Sequence, residues 1–288
     1  MKPKLIDNIS IYLLKKGFTI KILTRTCFDI LARKDTRILL IKVLEDANSI
    51  SEESAYQMNH ISSYISASPL IIAEKAGNKI YDNVVYARFG IYTLNLNTFK
   101  SSVENKFPFI KSDHAGLTAH IMGDKIKEIR EQRGISLGDI SRKIGVSKKM
   151  VQRYENEEAD LTINKAMKIY DLFGHNVFDK INIFETPFKE RIQSRSNITR
   201  KYSDLGFEAI DTKKAPFDVV AKREKDIILT SVSDKPQPQL DSLSKLVDAD
   251  KLVIFRKKKP KDVAALTKEE FMEFEKAKEL IKFLKEFE

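Results

Sequence analysis

Residues 125–173, KIKEIREQRGISLGDISRKIGVSKKMVQRYENEEADLTINKAMKIYDLF, carry four short helical periodicities in succession, each with its own stop. This stretch restricts the fold more than any other, because helices this short are not stable alone and must share one core. Ile126 and Ile129 give the first helix an apolar edge, and Arg133-Gly134 end it. Ser136 caps a second helix over 137–144, with Asp139 in the first turn where a carboxylate meets the helix's partial positive charge. Gly145 breaks that helix, Val146 plugs the corner, and Ser147 caps a third from Lys148 to about Glu157. Ile163, Ala166, Ile169 and Leu172 then recur at helical spacing, and Gly174 stops the fourth.

Two helices joined by a tight Gly-containing turn form a helix-turn-helix, whose second helix is suited to a DNA major groove. In SKKMVQRYEN, Met150, Val151 and Tyr154 can face inward while Lys148, Lys149, Gln152 and Arg153 stay outside. Guanine presents two acceptors to the groove, which suits Lys and Arg. A solvated basic face is the ordinary fate of such a helix, but here four elements coincide: KEIREQRGIS, DISRKIGVS, RYENEE and a closing amphipathic helix. Over roughly 124–178 the segment resembles the phage repressor and Cro (XRE-type) family of helix-turn-helix domains. The resemblance implies base reading by Lys148, Lys149 and Arg153; Gln152, outside on the same helix, is expected to read base edges with them, and Ser147 to contact the DNA as well. It puts Asn156 at a backbone-contacting position and Arg130 and Glu155 at the family's inter-helix ion pair. It also implies double-stranded DNA as partner and a two-fold homodimer on half-sites one turn apart. The sequence departs from the family at Leu137, where Gln usually touches phosphate, and at Glu157 and Glu158, where a Gly-containing turn is usual.

Such a domain needs only about 60 residues, so a chain of 288 should hold two or three units. The formal charge of +10 favours polyanions, yet residues 124–184 hold 12 Lys and Arg against 10 Asp and Glu. Most of the basic excess therefore lies outside the reading segment. The single cysteine, Cys27, excludes an intrachain disulfide and among apolar neighbours reads as a packed thiol. No stretch approaches a membrane span, and the amino-terminal residues mix charge with apolar groups too closely for a secretory signal. A cytoplasmic, nucleoid-associated protein is expected.

The flanks repeat each other. At a constant offset of 189, Gly17 falls on Gly206, Phe18 on Phe207, Phe28 on Phe217, Asp29 on Asp218, Ala32 on Ala221 and Ile38 on Ile227. Each match sits in the same order of helix, strand, hairpin, helix and strand. The expected fold is α+β and multidomain: a central all-α helix-turn-helix domain of four to five helices (121–184) between two duplicated α/β domains (1–115 and 190–288). Seams are expected around 106–120 and 186–200, and a long last helix over 268–287 with Phe271, Phe274, Leu280, Phe283 and Leu284 as its apolar stripe.

The order of helix, strand, hairpin, helix and strand, with Asp opening the second strand and, in the first copy, Lys in the third, resembles the PD-(D/E)xK nuclease fold. That chemistry needs two carboxylates to hold Mg²⁺ and a Lys to position water. Asp29 and Lys42 match, but Leu40 stands at the second carboxylate position; in the other copy Asp218 faces Leu229 and Ser231. Both copies are read as inactive, with Phe-Asp a packing and hairpin-closing pair. His60, His114, His120 and His175 lack metal-ligand spacing and read as solvated; there is no phosphate loop or nucleophile elbow. No catalytic residue, metal or cofactor is therefore expected, and no small-molecule effector can be named. The leading expectation is a sequence-specific transcriptional regulator. The alternatives are a nuclease or repair protein targeted by the helix-turn-helix, and an architectural or antitoxin-like protein.

Overall fold

The computed structural model describes residues 2–114, 116–185, 196–234, 238–257, 259 and 263–287. Helix α1 (Lys2–Lys15) leads into strands β1 (Thr19–Ile22), β2 (Ile30–Lys34) and β3 (Arg37–Asp46), then α2 (Glu52–Tyr64) and β4 (Ala67–Ala76). β5 (Asn78–Lys79), β6 (Val84–Arg88), β7 (Ile91–Leu94), α3 (Leu96–Val103), β8 (Ile110–Asp113) and β9 (Gly116–Ala119) follow. Next come α4 (Gly123–Gln132), α5 (Leu137–Ile144), α6 (Lys148–Glu155), β10 (Leu161–Thr162) and α7 (Ile163–Phe173). The last part is α8 (Asn197–Asp204), β11 (Glu208–Asp211), β12 (Val219–Arg223), β13 (Asp226–Val232), α9 (Pro238–Val247), β14 (Asp250–Phe255), β15 (Ala265–Thr267), α10 (Lys268–Glu273) and α11 (Ala277–Lys285). No described helix is long and apolar enough to cross a membrane.

The chain divides into two compact units, one of residues 1–71, 89–91 and 184–288, the other of 72–88 and 92–183. The first unit therefore contains the second α/β stretch together with α1, the β1–β3 strands and α2 of the first, whose later elements β5, β6 and α3 belong to the other unit. In the first stretch, β1, β2 and β3 form an antiparallel meander. In the second, β11, β12 and β13 do the same, and β14 and β15 add in parallel. A cluster around the fully buried Tyr202 and Phe271 fills the core of that second stretch, where the Tyr202 hydroxyl meets Thr230 Oγ1 at 2.7 Å.

At the offset of 189 the two stretches carry the same hydrogen bonds. Phe18 N donates to Leu13 O and Phe207 N to Tyr202 O, closing each leading helix with a Gly at φ 81° or 83° in the left-handed region. Asp29 N donates to Ile41 O and Asp218 N to Thr230 O, both at 2.8 Å. Thr19 pairs Arg33 as Glu208 pairs Lys222.

The second unit corrects the all-α expectation for the helix-turn-helix region. β10 pairs antiparallel with β9, and Ala119, Ile121 and Leu161 lie in the core of the four helices. Residues 106–120, read above as a seam, hold β8 and β9; most of the other seam, 186–195, lies outside the described residues. A two-residue strand leaves no periodicity to read, and its partner is supplied from far along the chain. The single helix expected over 268–287 is also broken, at Phe274 to Lys276. At about 100° per residue, a straight helix would put Phe271 and Leu280 on opposite sides. Both are 0% exposed in one core, so the break is what lets them face the same way.

Candidate nucleic-acid interface

The four helices end where local chemistry dictates. Ser136 and Asp139 form a reciprocal capping box at the start of α5, and Gly145 at φ 72° caps its end. Lys165 Nζ donates to Ile144 O and Gly145 O at 2.9 and 2.8 Å, covering carbonyls that the helix leaves unpaired. Ser147 then opens α6, its hydroxyl accepting from Met150 N at 3.2 Å.

Helical spacing sorts the side chains of α6. Val151, Tyr154 and Glu155 are buried, with Met150 partly covered against the same core. Lys148, Lys149, Gln152, Arg153 and, just past the end, Asn156 are all exposed. The helix is held from behind by Arg130 of α4, which donates through Nε to Glu155 Oε1 at 2.6 Å and through Nη2 to Oε2 at 3.1 Å. These hydrogen bonds raise the Arg130 guanidinium above its ordinary pKa. Contact between α4 and α6 is close: a Cβ on Gly123 would lie 2.0 Å from Glu155 O, so only glycine fits there.

The two acidic departures now have distinct positions. Glu157, at φ 59°, turns its carboxylate to the amino end of α4 and accepts from Gly123 N at 2.9 Å. Glu158 instead lies beside the outer face of α6. It accepts from Asn156 Nδ2 at 3.2 Å and stands 3.6 Å from Arg153 Nε. Leu137 is half-buried against the helical core, packing where the family's Gln touches phosphate.

Histidine placement differs from the solvated expectation at two of the four positions. His120 Nδ1 lies 2.8 Å from Asp160 Oδ1, and Lys111 Nζ lies 2.5 Å from Asp160 Oδ2, tying β8 and the end of β9 to the loop after α6. Burial pushes the Asp160 carboxyl up, but hydrogen bonds from Lys111 and His120 outweigh it and leave the pKa lowered. His60 is buried on α2, its ring centroid 4.1 Å from that of Tyr56. His114 and His175 are exposed as expected. This ion-paired cluster and the Gly123 contact join residues far apart in sequence, so only an alignment of covarying positions could have signalled them.

In the first unit Asp29 is enclosed rather than open. Its Oδ2 accepts from Val43 N at 2.8 Å, while Oδ1 lies 2.9 Å from Lys2 Nζ and 3.5 Å from Lys42 Nζ. Asp218 Oδ2 repeats the first bond to Val232 N at 2.7 Å and adds Ser231 Oγ at 3.3 Å. The shared Asp therefore closes a hairpin in both stretches. Burial lowers the Lys42 pKa, and Asp29 partly restores it.

A helix-turn-helix family pattern matches residues 126–174, and the PD-(D/E)XK superfamily domain matches residues 2–108. A protein of Archaeoglobus fulgidus, named as an HTH-type transcriptional regulatory protein, is 33% identical over 99% of this chain and 98% of its own length. The chain belongs to this family of HTH-type transcriptional regulatory proteins. Similarly named relatives include one from Methanocaldococcus jannaschii, 29% identical over 92% of this chain and 90% of its own, and one from Thermococcus gammatolerans, 25% identical over 98% and 96%. No solved structure matches the chain.

The superfamily match raises the question of a divalent cation at Asp29. The residues present do not fit one: two ammonium groups flank a single carboxylate, and Leu40, at the second carboxylate position, is fully buried and apolar. Leu229 is likewise buried beside Asp218. Among the described residues no group of three His, Cys, Asp or Glu could hold a metal ion.

Proposed function

We propose that this regulator reads duplex DNA with α6 in the major groove. Lys148, Lys149, Gln152 and Arg153 would address base edges, Asn156 the backbone, and Ser147 with the amino end of α6 a phosphate. The observation that carries this is the sorting of α6: five exposed polar or basic side chains on a helix locked by buried Val151, Tyr154 and the Arg130–Glu155 pair. The test is binding to selected duplexes and their single-base variants. Arg153→Ala should cost roughly 1–3 kcal/mol and relax the preference at one base pair. Equal weakening on every sequence would move Arg153 to the phosphate contacts.

We further infer that the two α/β stretches descend from one duplicated domain, supported by the hydrogen bonds and registers they share at the offset of 189. Neither would cleave DNA. With Lys2 and Lys42 neutralising Asp29, they serve as a basic framework that adds grip on phosphate and keeps the protein with the nucleoid. A Mg²⁺-dependent nick in supercoiled plasmid, lost in Asp29→Asn, would overturn this.

A further inference from the structure

Among the contacts between the two α/β stretches, which lie inside the first unit, one set is reciprocal. Arg33, at the end of β2, sends Nη1 to Leu246 O at 2.9 Å and Nη2 to the Asp248 carboxylate, just beyond α9. Lys222, its equivalent at the end of β12, sends Nζ to Ser66 Oγ at 3.3 Å, just beyond α2. Ser66 and Asp248 hold the same left-handed backbone, φ 52° in both. Helix α2 packs on β12, and α9 packs on β1 and β2. At the centre, Gln57 Oε1 accepts from Lys213 N at 3.0 Å, and Lys214 O accepts from Cys27 N at 2.7 Å.

When i meets j and the equivalent of j meets the equivalent of i, the interface has the self-complementary form of a two-fold dimer. Here both sides belong to one chain. The surface with which one such domain would recruit its twin from a second molecule is already covered. Meanwhile only one of the two stretches leads into a reading domain. After α3 the first continues through β8 and β9 to α6; after α10, at the equivalent place, the second continues into α11. Leu280 and Leu284 of α11 are buried in the core that holds Tyr202.

We propose that one chain acts alone at one DNA site: the two-fold partner is internal and carries no reading helix, so the operator is a single asymmetric element without a dyad. This rests on the regulator reading above and departs from the homodimer that the family resemblance implies. Two reading helices of a dimer address half-sites roughly 34 Å apart and share the affinity between them. A single helix lacks that second anchor. The charge distribution offers a replacement, since the reading segment accounts for only two of the ten net positive charges and the rest can hold flanking phosphate.

Sedimentation equilibrium of the full chain, followed by selection from random duplexes and footprinting of the winners, tests this. The expected result is a 33.1 kDa species, one chain per duplex, and a protected element with no inverted repeat. A mass of two chains that survives dilution, or an inverted-repeat footprint holding two chains, overturns the proposal and leaves the regulator reading intact. A monomer indifferent to every duplex at low salt overturns the regulator reading, and the asymmetric operator with it, while the internal pairing stands on the mass alone.

Discussion

Replacing Arg130 by Met keeps most of the side chain's volume and removes its charge and both hydrogen bonds to Glu155. The Glu155 side chain is 6% exposed and that of Arg130 12%, so the carboxylate would be left nearly dry with no cation to answer it. Breaking a buried pair in this way costs about 3–5 kcal/mol. The lower end applies here, because the neighbouring Glu131 side chain is 57% exposed and water has a path to the gap. A loss of about 3 kcal/mol corresponds to roughly 150-fold in an opening equilibrium. Amide hydrogen exchange in the intact protein reads this locally, with no need for the whole chain to unfold as one unit. The Ile144 and Val151 amides should lose about that much protection while those of β12 and β13 keep theirs. Converting both partners, Arg130→Met with Glu155→Leu, should recover most of the loss, because no charge is then buried alone. If the single variant loses less than about threefold, or the double variant fares no better than the single, the pair is not what holds α6 in place.

Three further outcomes follow from the geometry. Glu158→Gln should remove the carboxylate charge beside Arg153 and tighten binding to any duplex by up to about 1 kcal/mol, measured by titration at low salt; weaker binding would show that the Glu158 charge pre-orders Arg153 for DNA. Burial pushes the Cys27 thiol up to about 12 from 9.0, so at pH 8 its reaction with a thiol reagent should be roughly a thousandfold slower in the folded chain than in denaturant, and comparable rates would contradict its burial. Asp160 titrates below the ordinary carboxyl range, so its contribution is complete above about pH 4 and fades as pH falls through its lowered pKa. Asp160→Asn should therefore destabilise the helical unit at pH 7, with the gap to the parent closing in strong acid; a gap constant from pH 7 to 2 would refute the assignment.

The ends of α5, α6 and α7 were legible to within two residues, because each rests on a residue acting on its near neighbours: Ser136 with Asp139, Ser147 on Met150, Gly145 and Gly174 at carboxyl ends. The exposed face of α6 was legible for the same reason, since 3.6 residues per turn assigns each side chain to a face once the core residues are known. What escaped had its cause elsewhere in the chain. Lys111, His120 and Asp160 are separated by whole elements, β10 exists only because β9 lies alongside it, and α10 parts from α11 because one core claims both Phe271 and Leu280.

A helix-turn-helix with a basic outward face, and flanks that share a pattern at a fixed offset, are already written in the order of the residues. Both depend on local periodicity, which a chain displays before it folds. The neutralising of Asp29 by Lys2 and Lys42, and the closing of the two flanks on each other through Arg33 and Lys222, arise only on folding. Those outcomes depend on which surfaces meet, and shape and charge across non-local contacts select that meeting rather than any run of neighbouring residues.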